Sequence, residues 1–223
     1  MPAFFARREG DRAVIEGEDA HHLARSLRAR VGQRIDVVDP AGFLLSVEID
    51  HVTAQRVEGA VVAAREHNPE PAARITLAVA NLPAPVLELI LSRCTEAGAA
   101  QFIVFQADRS VGRGEKMTRW QTICREAAML AARLRVPDVS MAASTDSVID
   151  AAEHPVMLTR DSSEELAGMT EPRDVTLLIG PEGGWTQREL DLARVKASLG
   201  PRNLRADTAA LVGLAVALAA RGG

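Results

Sequence analysis

The chain has 223 residues, of which 47% are hydrophobic and 25% are charged, and its formal net charge is −4 at pH 7. This length and apolar content suit one large or two small globular domains. A net negative charge is not typical of nucleic-acid-binding proteins, so any RNA site has to be a local patch.

The terminal regions and the cysteines predict a cytoplasmic enzyme without a metal site. No run resembling a signal peptide lies near the N-terminus, and the longest apolar run, 209–220, is too short to span a bilayer. We expect that run to form a buried or interface helix. Cys94 and Cys124 lie far apart and offer no metal-binding spacing. No metal is therefore expected.

Residues 1–67 are predicted to form a small β-barrel. Short runs of alternating apolar and polar residues predict strands at 13–15, 34–38, 44–49 and 57–62. A turn is predicted at 39–42 and a short helix at about 19–29. The segment 66–71 is polar and contains two prolines, which indicates a linker.

From residue 74 onward, strands alternate with helices. Strands are predicted at 75–79, 102–105, 156–158 and 175–179, and helices at 85–97 and 116–133. This alternation is typical of the α/β class, with a parallel sheet and helices on both of its faces. We therefore predict a second domain over 74–223.

Two glycine-rich loops near the C-terminus are the most informative part of the chain. Residues 177–184 read Leu-Leu-Ile-Gly-Pro-Glu-Gly-Gly, which predicts the end of a buried strand followed by a loop. Thr186 and Glu189 have the spacing of a capping box, so a helix should begin there. A similar loop at 199–208 opens another helix. Strand, loop and helix in this order form ligand sites in open α/β sheets, so both loops are expected to line one pocket.

The loop sequence limits the type of ligand. It has neither the spacing of a phosphate-binding P-loop nor that of a dinucleotide-binding motif. Its only charged residue is Glu182, an unfavourable neighbour for a polyphosphate. An uncharged or zwitterionic ligand fits better, such as an adenosine that carries an amino acid. The alternative is a tight turn whose glycines adopt positive φ angles.

These loops resemble the C-terminal signature of the SPOUT methyltransferases, and more narrowly that of the 16S ribosomal RNA uracil-1498 N3-methyltransferase family. Other matches follow in the same order as in that family. Residues 21–32 are similar to its "HHL…VLR…G", 95–99 to "TELGV", 108–111 to "ERSV" and 120–137 to "RW…EA…R…VP". The resemblance covers nearly the whole chain, and the two C-terminal loops are its most specific part.

The resemblance implies a fold that periodicity does not predict. The N-terminal barrel would be PUA-like, and the C-terminal domain would be a SPOUT domain with a trefoil knot. The knot would bring both glycine-rich loops to one pocket, although chains generally avoid knots. SPOUT enzymes generally pair through the region of helix 209–220, which implies a homodimer.

The resemblance also implies S-adenosylmethionine as cofactor and a set of residues that bind it. The expected cofactor-binding residues are Leu158, Thr159, Ile179, Gly180, Pro181, Glu182, Gly183, Gly184, Leu199, Gly200, Leu204, Arg205, Thr208 and Ala209. Thr208 would also cap the last helix. Arg205 is the expected catalytic side chain, since it would orient the uracil or a phosphate. The alternative for Arg205 is a salt bridge with Asp207, and no general base is assigned.

The RNA partner implied by the resemblance is 16S ribosomal RNA within the small ribosomal subunit. The expected RNA-binding residues are Arg25, Arg28, Arg109 and Arg133. Arg25 and Arg28 would share one helix face; alternatively, they pair with Glu16, Glu18 or Asp19.

Three departures from the family pattern weaken the expected grip on RNA more than the binding of the cofactor. The segment 81–86 lacks the lysine that the family usually has there. Met129-Leu130 replaces a common Glu-Gln pair, and Asp207 replaces the usual glutamate.

The leading hypothesis is methylation of uridine N3 in small-subunit ribosomal RNA. A second is another SPOUT methyltransferase, which acts on a ribose 2′-OH or a tRNA base. A third is a non-catalytic RNA-binding or ribosome-assembly protein that has the same fold.

Overall fold

The computed structural model describes residues 2–222, which form two compact units. The first unit contains the chain up to Glu70 together with Glu126–Val136. The second contains Pro71–Arg125 and the chain from Pro137 onward. Within residues 2–222, no helix is both long and apolar enough to cross a membrane.

The first unit is built on a six-stranded sheet with the order β1-β4-β5-β6-β3-β2. Its strands are β1 (Phe4–Phe5), β2 (Arg7–Glu9), β3 (Arg12–Glu16), β4 (Arg34–Asp39), β5 (Phe43–Val52) and β6 (Arg56–Glu66). Neighbouring strands are antiparallel except for the parallel pair β1 and β4. The strands predicted at four places are confirmed as β3, β4, β5 and β6.

The core of the first unit follows from the alternation of its strands. In β5, the side chains of Leu45, Val47 and Ile49 are buried, and they pack in a cluster with Phe4 and Leu23. The register between β5 and β6 shifts twice. Such bulges bend and twist a sheet, which gives this sheet its curl.

The short helix predicted at about 19–29 is present, but it begins earlier, ends earlier and changes type along its length. The chain forms a short α-helix, α1 (Gly17–His21), which continues as a π-helical turn at His22–Ser26. Arg28 lies beyond that turn, in the left-handed region with φ of 52°. Arg25 and Arg28 therefore do not share the face of a regular helix.

Arg133 is buried within the first unit, where it pairs with Glu70. Its side chain is 5% exposed, and its Nη2 lies 2.5 Å from Glu70 Oε2. The backbone N–H of Leu134 also donates to Glu70 Oε1, at 2.9 Å. A buried charge has to be compensated, and this carboxylate compensates that of Arg133. Its burial leaves the guanidinium poorly placed for the RNA contact predicted from the sequence.

The second unit is built on a parallel sheet with the order β12-β10-β11-β7-β8-β9. Its strands are β7 (Ile75–Ala80), β8 (Gln101–Phe105), β9 (Asp138–Ala142), β10 (Pro155–Leu158), β11 (Val175–Ile179) and β12 (Lys196–Ala197). The remaining helices are α2 (Ala84–Glu96), α3 (Met117–Leu130), α4 (Thr145–Ala151), α5 (Gln187–Leu192) and α6 (Ala206–Ala220), of which α3 contributes residues to both units.

The predicted α/β class is confirmed, and so are the strands β7, β8, β10 and β11. The helix predicted at 116–133 ends at Leu130, because Ala132 adopts a positive φ of 51°. β9 was not predicted, since its sequence combines two polar residues with only a short apolar stretch. Because the strands of the sheet are parallel, the loops that follow β7, β8, β10 and β11 all leave from the same edge.

Removal of the buried carboxylate should destabilise the first unit. We expect Glu70→Ala to lower the free energy of unfolding by about 3 kcal/mol, because it leaves the Arg133 charge buried without its partner. Chemical unfolding followed by circular dichroism measures this difference. Glu9→Ala is the matched control, since Glu9 pairs with Arg7 on the surface and should cost less than about 1 kcal/mol. Equal losses in the two variants would contradict the assigned burial.

Candidate active site

A cavity of about 710 Å³ lies at the carboxyl ends of β10 and β11. Both glycine-rich loops contribute to its walls. The lining residues are Leu158, Thr159, Arg160, Asp161, Ile179, Gly180, Pro181, Glu182, Gly184, Trp185, Leu190, Leu199, Gly200, Arg202, Asn203, Leu204, Arg205, Ala206 and Ala209. The structure thus brings together every residue of the predicted cofactor site except Gly183 and Thr208. That these residues bind a cofactor stays a prediction.

Trp185 is the main residue of this cavity that sequence reasoning did not assign. Its indole N–H donates to the carbonyl oxygen of Leu158 at 2.9 Å, which joins the loop after β11 to the end of β10. Its ring also stacks on Phe105, with ring centroids 6.2 Å apart. A Cβ atom on Gly180 would lie 2.7 Å from this indole ring, so only glycine fits there without a shift. The position of Trp185 directly after two glycines was the available signal.

Arg109 contacts the backbone of the glycine-rich loop through its guanidinium group. Its Nη1 donates to the carbonyl oxygens of Gly183 at 2.9 Å and of Trp185 at 3.3 Å. Gly183 accordingly packs towards Arg109, where an added Cβ would lie 3.4 Å from the arginine side chain. This contact explains why Gly183 does not line the cavity. The predicted contact between Arg109 and RNA stays a prediction, because the side chain remains exposed.

The fully buried carboxylate of Glu189 fixes the surroundings of the loop. It accepts hydrogen bonds from the backbone N–H of Thr186 at 2.9 Å, the backbone N–H of Asp108 at 3.1 Å and the hydroxyl of Thr145 at 2.6 Å. The N–H of Glu189 in turn donates to Thr186 Oγ1, so the predicted capping box is confirmed. These bonds join the start of α5, the loop after β8 and the start of α4.

Exposed side chains next to this network are joined by Arg188. Its guanidinium donates two hydrogen bonds to Asp108 and two to Asp146, at 2.8 to 3.1 Å. These bonds hold the pKa of each aspartate below its ordinary value of 3.8, and they raise the pKa of Arg188. Because all three side chains are at least one third exposed, solvent screens each pair.

Three arginines stand at the mouth of the cavity. Arg205, the predicted catalytic residue, is 71% exposed and lies 3.6 Å from Asp207, so the salt bridge considered as its alternative is present. Pairs of this type are weak and leave the guanidinium accessible. Arg160 and Arg202 also line the cavity and were not predicted. Arg160 donates to the side chain of Asn203 at 2.8 Å.

Thr208 does not have the capping role expected from the sequence. The helix α6 begins at Ala206, and its N-cap residue is Arg205, without a side-chain capping bond. Thr208 lies inside the first turn, where its N–H donates to Asp207 Oδ1 at 2.9 Å. It does not line the cavity, whereas Ala206 and Ala209 of the same helix do.

Arg25 and Arg28 are exposed in the first unit. Within residues 2–222, neither of them forms an ion pair, and Glu16 instead pairs with Arg7 and Arg56. The alternative in which acidic neighbours occupy both arginines is therefore wrong for the described part of the chain. The two guanidinium groups are available to an anionic partner.

The fold and the cavity define the protein as one with a β-rich unit and an α/β unit that has a cavity at the carboxyl edge of its parallel sheet. A family model described as an RNA methyltransferase domain matches residues 68–218. A second, described as an RNA methyltransferase PUA domain, matches residues 15–62. The chain therefore belongs to the RNA methyltransferases.

Individual relatives agree with this family. A ribosomal RNA small subunit methyltransferase E from Synechocystis sp. is 34% identical over 213 residues, which cover 87% of this chain and 69% of the relative. A structure from Legionella pneumophila in complex with the cofactor SAM has a TM-score of 0.87 at 24% identity, covering 98% and 97% of the two chains. A ribosomal RNA small subunit methyltransferase E from Neisseria gonorrhoeae bound to S-adenosyl methionine has a TM-score of 0.85 at 22% identity, covering 96% and 95%. The two structures share the fold of this chain.

The Arg188 network predicts a specific acid sensitivity of the second unit. Hydrogen bonds from Arg188 lower the pKa of Asp108 and Asp146 in the folded state. Their stabilising effect is therefore complete above the ordinary value of 3.8 and is lost as the pH falls through the lower folded values. We expect Arg188→Met to be less stable than the native protein at pH 7 and the difference to shrink below pH 3.8. Urea unfolding at several pH values measures it, and a difference that does not change with pH would contradict the assignment.

Proposed function

We propose that this protein uses S-adenosylmethionine to methylate N3 of a uridine in 16S ribosomal RNA of the small subunit. The observation that carries the proposal is the cavity built from both glycine-rich loops, in a chain that belongs to the RNA methyltransferases. The names of the relatives support ribosomal RNA as the substrate. The cofactor-bound structures of the same fold support S-adenosylmethionine.

The cavity suits S-adenosylmethionine in size and in chemistry. A volume of about 710 Å³ lies within the range of about 300–1,000 Å³ that is usual for small-molecule sites. The aliphatic side chains of Leu158 and Leu204 provide apolar walls for an adenine ring. The loop at 179–184 offers backbone groups to the ribose and the amino acid portion. When bound, this cofactor supplies an electrophilic methyl group on its sulfonium.

The residues of the chain have to position the uridine and favour the loss of its N3 proton. We assign the orientation of the base to Arg205, because it is an exposed cation at the mouth of the cavity. A guanidinium near the base favours the anionic form that remains after the proton has left. Arg160 and Arg202 are placed to contact phosphates around the same opening. No side chain is assigned as a general base.

We propose separate tasks for the domains at 1–67 and 74–223. The first would hold RNA by its phosphates, through the exposed and unpaired Arg25 and Arg28, and the second would carry out methyl transfer. The match of residues 15–62 to an RNA methyltransferase PUA domain supports this division. Phosphate contacts position RNA without reading its sequence.

We also propose a homodimer and a trefoil knot in the second domain. α6 buries one face and exposes apolar residues on the other, and Leu211 and Val212 are each 37% exposed. An apolar helix face of this kind is typical of an interface, and a symmetric pair is the commonest arrangement. For the knot, the support is the path after β11, which places β12 beyond β10 and then returns α6 to pack on α2 and β7.

A change at Gly180 should disturb the cofactor cavity directly. We expect Gly180→Ala to raise the dissociation constant of S-adenosylmethionine at least about tenfold, because the new methyl group displaces the Trp185 ring. Isothermal titration measures the constant. Gly168→Ala is the matched control, since a Cβ there meets no atom within 4 Å. An unchanged dissociation constant in Gly180→Ala would contradict the assignment of this cavity as the cofactor site.

Mass mapping of modified nucleotides tests the reaction itself. In ribosomal RNA from a deletion strain, we expect the loss of one N3-methyluridine from 16S RNA and its return with the native gene. Arg205→Ala should restore it at a rate at least about tenfold lower.

Other outcomes of the mapping separate the competing functions. A missing ribose methyl group or a missing tRNA modification would identify another SPOUT activity. An unchanged set of modifications, together with no binding of S-adenosylmethionine, would identify a non-catalytic RNA-binding protein.

A further inference from the structure

A second cavity, of about 300 Å³, lies in the second unit where β7 ends and α2 begins. Asn81 follows β7 directly and lines this cavity, as do Leu87 of α2 and Trp120 of α3. The cavity shares no lining residue with the candidate active site. Since it also lies at a carboxyl end of the parallel sheet, it occupies a position where such sheets bind ligands.

One buried polar side chain of this cavity has no hydrogen-bond partner among the described residues, and a second polar side chain lines the same space. Trp120 is 2% exposed, and its indole N–H has no hydrogen-bond partner among residues 2–222. Asn81 is 4% exposed, and its backbone bonds to Phe105 and Gly112, whereas its side-chain amide has no hydrogen bond within the described residues. Because a buried polar group normally has a partner, the Trp120 indole indicates a site that a ligand completes, and the Asn81 amide lines the same cavity.

The backbone around Asn81 is held closely in place. Gly112 donates its N–H to the carbonyl oxygen of Asn81 at 3.0 Å. A Cβ on Gly112 would lie 2.3 Å from the carbonyl oxygen of Leu82 and 2.5 Å from Asn81 Oδ1, so this approach requires glycine. The backbone of Asn81 is therefore held in place, and its Oδ1 lies close to Gly112.

The remaining lining residues are apolar where they are buried and cationic where they are exposed. Leu82 and Leu87 are buried and form apolar walls. Arg113 and Lys116 are exposed at the same cavity, and Lys116 is one of only two lysines in the chain. An apolar interior favours a neutral planar group over a phosphate. The cations suit phosphates that remain outside in the solvent.

We propose that this cavity binds a uracil base of single-stranded RNA, separate from the base that is methylated. The imide edge of uracil presents two carbonyl acceptors and one N–H donor. The indole N–H of Trp120 and the NH2 group of Asn81 can donate to the two carbonyl oxygens. The amide oxygen of Asn81 can accept from the N–H of uracil, so the two sets are complementary. Proteins commonly read unpaired RNA bases by hydrogen bonds to this edge. The inference rests on the proposed function only in that the ligand is RNA.

Binding of short oligonucleotides to the full-length protein tests this site. We expect oligouridine to bind more tightly than oligoadenosine in fluorescence anisotropy. Asn81→Leu and Trp120→Phe should each weaken the binding of oligouridine about tenfold, with little effect on oligoadenosine. Arg119→Ala is the matched control, because Arg119 neighbours Trp120 in sequence but pairs with Glu88 and does not line the cavity.

A fluorescence measurement reports on the cavity independently of these variants. The chain has two tryptophans, so Trp185→Phe leaves Trp120 as the only one. In that variant, we expect uridine 5′-monophosphate to change the emission of Trp120 and inorganic phosphate to leave it unchanged. Equal changes in emission with both compounds would show that the cavity binds anions and would overturn the proposed base site.

The results also separate this inference from the proposed methyl transfer. Native affinity for oligouridine in folded Asn81→Leu and Trp120→Phe would overturn the base site, and titration with S-adenosylmethionine would still test the active site. Conversely, the native protein could fail to methylate ribosomal RNA and still prefer oligouridine. In that case, Asn81→Leu and Trp120→Phe should still lose this preference. Thermal unfolding establishes that the variants are folded.

Discussion

The buried carboxylate of Glu189 is the constraint on which the candidate active site depends. A carboxyl group with no exposure is tolerated only where its oxygen atoms accept hydrogen bonds, and here the donors come from three separate segments. One of them is the backbone of Asp108, so the loop after β8 is fixed relative to the start of α5. That loop carries Arg109, whose guanidinium in turn holds the carbonyl oxygens of Gly183 and Trp185. The wall of the cavity is thus positioned through a chain of polar contacts that begins at one carboxylate.

The parallel sheet explains why two cavities of different character occur in one small unit. All of its strands end at the same edge, so the loops after β7, β8, β10 and β11 are brought together there. Around β10 and β11, the glycine-rich loops leave room for a ligand of cofactor size. After β7, the close packing of Gly112 on Asn81 leaves only a smaller space, in which the buried indole N–H of Trp120 has no partner among the described residues. The topology supplies the common edge, and the local residues decide what each space can hold.

The features that sequence predicted best are those set by neighbours along the chain. The capping box at Thr186 and Glu189, the glycine-rich loops and the alternation of strands and helices depend on residues within a few positions of one another. Arg109 and Arg133 were harder to interpret, because their partners lie far away in sequence: Gly183 for the first and Glu70 for the second. A motif reveals that such an arginine is present but not which acceptor it meets in the fold. The π-helical turn at His22–Ser26 likewise has no signal in the periodicity of its residues.

The net charge of −4 follows from 30 acidic and 26 basic residues, and only some of the arginines are free to meet RNA. Several guanidinium groups are occupied within the protein, since Arg133 compensates a buried acid and Arg188 bridges two surface aspartates. Arg25 and Arg28 are among those that remain accessible. Each phosphate that such a residue neutralises releases about one counterion, so a small number of contacts implies a modest dependence of affinity on salt. A protein with a net negative charge does not attract a polyanion over a long distance through its net charge. Recognition of RNA by this chain would then depend on shape and on hydrogen bonds to bases more than on long-range electrostatic attraction.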